Sequence, residues 1–157
     1  GKEGVVGAFC RAYNVPAAMD KYLPGVYEET ATEGRYTFTR GSTWGGAVLY
    51  DGGKFLYSNH ATDPAGGKLV NSFDLVRLHK FSDLDDGAPE GARGNRLPSY
   101  AAMVKLARED EAVAALMAQE RVSAVEDFQE IVDAVAGERF PRAKPTFKQK
   151  YISKFFN

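Results

Sequence analysis

The chain has 157 residues, 44% of them hydrophobic and 26% charged, with a net charge of −1. That balance is ordinary for one globular domain, with room for an appended helical subdomain. A single cysteine excludes a disulfide framework and a cysteine zinc site, and no apolar run approaches the ~20 residues that span a bilayer, so a cytoplasmic setting without a membrane is expected. No signal peptide is visible, and Gly1 in place of Met is what a piece of a longer protein would carry.

Residues 5–13 read as a short helix, and Cys10, in the apolar run from Val5, is expected as a buried structural thiol. Asn14 ends that helix. A second begins at Val15-Pro16, where proline suits a first helical turn, and Pro24-Gly25 stops it. Met19, Tyr22 and Leu23 form its core-facing stripe.

Residues 35–40 alternate as a strand, with Tyr36 and Phe38 on one face and Thr37 and Thr39 on the other. Residues 41–46 are a loop. Two further strands, 47–50 and 54–57, are joined by Asp51-Gly52-Gly53, a hairpin signal because both glycines accept positive φ. A polar loop over 60–68 leads to a helix over 72–81 with Asn71 as N-cap and Asp74 near its positive end. Phe73, Leu75, Val76, Leu78 and Phe81 make that helix apolar around most of its circumference, so it is expected between the sheet and another element.

The Gly-, Pro- and Asp-rich stretch 83–97 reads as a flexible connection. From Ser99 the spacing is helical through Val135, with Gly137 as terminator, and a basic, aromatic tail could form a last helix over 147–156. The expected fold is α+β: a small antiparallel sheet with flanking helices over 1–82, then a helical subdomain with a basic tail over 98–157.

Charge is unevenly spread. Arg35, Arg40, Lys54, Lys68, Arg77 and Lys80 dominate 35–81, and the tail from Arg139 carries no acid, while an acidic block lies between. Such basic zones can bind polyanions locally, and they can equally be ordinary solvated surface. Aromatics interleave with the first zone: Tyr36, Phe38, Trp44, Tyr50, Phe55 and Tyr57. Exposed aromatics on a basic sheet stack on unpaired bases, although strands also favour aromatics for packing. Trp44, in a glycine-flanked loop, is the one most expected in solvent.

Enzymatic signals are thin. The Gly53-Lys54 pair lacks both the earlier glycine and the following hydroxyl of a phosphate loop, so the turn explains it better. His60 either serves a binding loop or ties that loop down by hydrogen bonds, and His79 reads as a packing residue. A hydrolytic group of His60, Asp63 and Asp74 is conceivable on composition alone. No metal or cofactor is expected.

Two resemblances add direction. The strand and hairpin, Phe55-Leu56-Tyr57-Ser58, Gly66-Gly67 and Asn71-Ser72-Phe73-Asp74-Leu75-Val76 resemble the CHC-type zinc-ribbon of bacterial primases, with Ser58 and Ala61 near the metal knuckle and the cysteines absent. Gly4-Val5-Val6-Gly7-Ala8-Phe9-Cys10-Arg11-Ala12-Tyr13, Tyr22-Leu23-Pro24, Gly34-Arg35-Tyr36, Ser58-Asn59-His60-Ala61-Thr62-Asp63-Pro64 and the run from Asn71 to Phe81 are similar to the region upstream of the helicase in virulence-associated E-type proteins of phages and prophages. The likeness covers 4–81, with a looser helical similarity over 99–128. It implies a noncatalytic replication module of a primase–helicase, binding single-stranded or template DNA, with Arg35, Arg40, Trp44, Lys54, Tyr57 and His60 on the nucleic-acid face. The rival expectations are a docking adaptor for helicase or primase domains and a small enzyme using the polar loop.

Overall fold

A computed structural model describes residues 4–139, with side chains through 137. The chain forms two compact units, 1–117 and 118–157. In the first, helix α1 (Gly4–Ala12) is followed by α2 (Val15–Tyr22). Asn14 does more than end α1: its side chain accepts the Ala17 N–H at 2.9 Å and so caps α2, with Pro16 in the first turn.

Among the described residues five strands form one antiparallel meander in sequence order: β1 (Tyr27–Glu29), β2 (Arg35–Phe38), β3 (Ala47–Tyr50), β4 (Phe55–Ser58) and β5 (Leu69–Asn71). The turn between β3 and β4 uses positive φ at Gly52 (64°) and Gly53 (89°), which is what that glycine pair supplies cheaply. The edge strands β1 and β5 were not expected from the sequence. Three residues are too few to show alternation, and each strand exists because a neighbour offers it a ladder.

Helix α3 (Ser72–Phe81) follows β5 without a loop, Asn71 serving both as last strand residue and as N-cap to the Asp74 N–H at 2.8 Å. Phe73, Leu75, Val76 and Leu78 are buried. Phe73 meets Phe9 edge-on with centroids 6.0 Å apart, and full burial of each such side chain contributes roughly 1.5–3 kcal/mol. As its apolar circumference predicts, α3 is enclosed on several sides, touching α1, α2, the sheet and helix α4 (Pro98–Glu109).

The unit boundary expected at 83–97 is displaced. That stretch holds two 3₁₀ turns, Ser82–Gly87 and Gly94–Arg96. Asp85 accepts from the Ser99 N–H (2.9 Å) and hydroxyl (2.6 Å), while Arg77 donates to the Ser99 hydroxyl at 2.9 Å. Met103 and Ala107 of α4 then bury in the same core as α3, which makes α4 part of the first unit. Helix α5 (Glu111–Arg139) begins in that unit, burying Val113, and its remainder from Ala118 is the described part of the second. It runs through Gly137, where termination was expected; one glycine inside a helix costs only about 1 kcal/mol. Cys10 is half-buried against the core rather than fully enclosed. The basic tail helix expected over 147–156 lies outside the described residues.

Candidate nucleic-acid interface

Strand register divides the sheet into two chemically different faces. Tyr27 pairs with Phe38, Tyr36 with Ala47, Ala47 with Ser58, and Leu56 with Val70; all of these are buried. The alternate positions form the opposite face. Arg35 pairs with Val48, Val48 with Tyr57, and Tyr57 with Leu69, so four strands contribute to one cross-strand row. Tyr50 and Phe55 pair beside it. Each residue of this second set is half-buried or exposed, Tyr50 by 50% and Leu69 by 57%. Because side chains alternate along a strand, no helix is needed to bring these aromatics together: the ladder itself sets their spacing.

The loop 41–46 is fastened beside this face. The Arg35 guanidinium donates to the Gly45 carbonyl at 2.9 Å, and the Gly45 N–H donates to the Thr37 hydroxyl at 2.8 Å. Trp44, next to that anchor, is 70% exposed, as its place in a glycine-flanked loop predicts. Lys54 is exposed at the end of the β3–β4 turn, adjoining the Tyr50–Phe55 pair, and lies 3.9 Å from Asp51. Arg40 is exposed in the turn after β2. The structure therefore brings Arg35 and Tyr57 into one row, with Trp44 held by the Arg35 anchor. Sequence reasoning passed over Leu69 and Val48; the β5 register finds the first, and the pairing of β3 with β2 and β4 finds the second.

His60 does not belong to this face. It is 2% exposed, and its Nε2 accepts the backbone N–H groups of Phe38 (3.2 Å) and Gly46 (3.1 Å). Both bonds require a bare Nε2, which puts the ring hydrogen on Nδ1. A base or phosphate has no access to this ring. Its role is the loop-fastening one, and Gly46 leaves it room: a Cβ there would stand 3.0 Å from Nε2.

Two other polar clusters are structural clasps. Tyr27 donates to Asp63 at 2.6 Å, and His79 Nε2 stands 3.0 Å from Asp63 and 2.7 Å from the Tyr27 oxygen, tying β1, the 60–68 loop and α3 together. Burial pushes the Asp63 carboxyl upward, but hydrogen bonds from His79, Tyr27, the Ala65 N–H and Ser58 outweigh it and hold Asp63 below its ordinary range. Burial and the bond to Asp63 push the Tyr27 phenol well up. The hydrolytic grouping of His60, Asp63 and Asp74 is not assembled: Asp63 faces Tyr27 and His79, and Asp74 pairs with Arg77 at 3.2 Å.

The second clasp centres on Asp110, between α4 and α5. Its carboxylate accepts from Tyr13, Tyr22, Lys21 (2.6 Å) and the Val113 N–H (3.0 Å). Burial alone would raise its pKa, yet these donors hold it far below the ordinary carboxylate range. Burial and Asp110 together push the Tyr22 phenol up to about 12. An open cleft of about 310 Å³ beside it is lined by Lys21, Tyr22, Leu106, Glu109, Asp110 and Glu111. The one buried carboxylate in that cleft is already engaged by four donors, so the group closes the helix junction and offers a ligand little.

No three His, Cys, Asp or Glu side chains gather to hold a metal among the described residues, and none of their helices is long and apolar enough to cross a membrane. Neither a protein-family model, nor a curated protein, nor a solved structure matches this chain.

Proposed function

We propose that this chain is a noncatalytic module that grips single-stranded or template DNA within a phage or prophage primase–helicase of the virulence-associated E type. The observation that carries the DNA reading is the uncovered sheet face, where Tyr50, Phe55, Tyr57 and Leu69 lie beside Arg35. Aromatic side chains on an open sheet stack on unpaired bases for roughly 1–3 kcal/mol each, and flanking Arg and Lys meet phosphates. Lys54, Lys68 and Arg40 are exposed cations in the adjoining turns. The parent protein is inferred from the resemblance over 4–81, and a reducing cytoplasm suits its lone cysteine.

A docking role toward helicase or primase domains is the second reading, favoured by the exposed apolar side chains of α5. Fluorescence anisotropy of a labelled single-stranded oligonucleotide, titrated at several salt concentrations, separates the two. Binding that falls steeply with salt is the expected result. No binding at low salt overturns the DNA reading, and co-purification with a downstream helicase domain would then favour docking.

A further inference from the structure

On α5, from Val122 to Ala136, the apolar and acidic side chains segregate onto opposite arcs, while Arg121, one position earlier, lies on the apolar side. Val125, Phe128, Val132 and Val135 recur at alternating intervals of three and four residues, flanked by Val122, Ala124, Ile131 and Ala136. The acids Glu126, Asp127, Glu130 and Asp133 fall on the rest of the circumference. Val125 is 67% exposed, Phe128 65% and Ile131 62%. Gln129, one of the few polar residues within the apolar arc, turns its amide to Asp133 at 3.3 Å.

We propose that this stripe is a self-association surface, covered in solution by α5 of a second copy of this chain. Three observations select that occupant. First, the three-four spacing with β-branched valines is the pattern that seats one helix on another. Second, the positions flanking the Val125–Val135 seam are uncharged: over that stretch two copies meet without burying a charge, Arg121 stands at the end of the stripe, and the identical stripes are complementary under a two-fold axis. A lipid surface fits poorly, because helices lying on membranes carry Lys and Arg on the polar face and this one carries acids. Third, the stripe from Val122 to Val135 is about 20 Å long at 1.5 Å per residue. Pairing two such stripes buries on the order of 1,000 Å², at the low end for a specific interface. The complex is therefore a concentration-dependent one, with dissociation in the micromolar range. This inference stands independently of the DNA reading.

Sedimentation equilibrium of the full chain over roughly 1–200 μM, spanning that micromolar range, is the test. The mass is expected to rise with concentration toward two copies. Phe128→Glu and, separately, Val125→Glu are expected to weaken association by about tenfold or more. Both side chains are mostly exposed, so the urea midpoint of each variant should match the parent. Glu126→Gln, on the acidic arc, should leave the mass profile unchanged. A chain that stays monomeric throughout overturns the proposal, and that is the outcome if the stripe is covered by another part of the same chain. Association that survives both glutamate substitutions overturns it as well.

Discussion

The phenol of Tyr13 and the carboxylate of Asp110 lie 2.8 Å apart, although 97 positions separate them in the chain. That contact joins the C-terminal side of α1 to the junction between α4 and α5. The same carboxylate receives Lys21, Tyr22 and the first turn of α5, which explains why α4 and the start of α5 belong to the unit that contains the sheet.

Asp110→Asn is expected to destabilise the first unit by roughly 2–3 kcal/mol, since two phenols and an N–H lose a charged acceptor. Lys21 is half-exposed and adds little to that figure. The pH dependence follows from the direction of the shift. A carboxyl held low in the folded state stabilises fully above its unfolded value, near 4, and loses that contribution as pH falls through the folded value. Asp63 acts in the same sense. The urea midpoint should therefore drop below about pH 4 in the parent, and less steeply in Asp110→Asn. At the alkaline end Tyr22, raised to about 12, stabilises fully below its unfolded value near 10 and loses that as pH climbs through 12.

Replacement of His60 by Ala removes the acceptor of two buried N–H groups. A loss of about 2–4 kcal/mol is expected, with oligonucleotide affinity of the folded fraction changed by less than about twofold. A large affinity change at preserved stability would return His60 to the binding face.

Gly66→Ala should be more damaging than Gly87→Ala. A Cβ at Gly66 would stand 2.6 Å from the His60 carbonyl oxygen and 3.0 Å from that of Asp63, both backbone atoms, whereas one at Gly87 meets nothing within 4 Å. Thermal unfolding should show a cost above about 2 kcal/mol for the first and within about 0.5 kcal/mol for the second.

For the sheet face, Tyr57→Ala and Trp44→Ala are each expected to weaken single-stranded DNA binding by roughly 5- to 100-fold, the cost of one stacked base, with the salt slope retained. Arg35→Ala should lower the salt slope by about one phosphate contact. Unchanged affinity in all three variants would remove the aromatic row from the binding reading.

Features made by neighbours in sequence were legible from the start. The Asn71 cap, α3 and the Asp51-Gly52-Gly53 turn appear where residue chemistry places them, because a cap oxygen, a glycine φ and an i, i+4 stripe act within a few residues. Trp44 is exposed for the same local reason. What only the tertiary structure decided depends on partners far along the chain. Leu69 reaches the aromatic row solely through pairing with Tyr57, and α4 enters the core through Met103 and Ala107. His60 illustrates the limit best. Its loop position suggests a hand held out to a ligand, yet two backbone N–H groups, 22 and 14 positions earlier, draw the ring inward. The inward ring pairs both N–H groups and leaves its own Nδ1 without a hydrogen-bond partner, whereas an outward ring would leave both N–H groups without this acceptor.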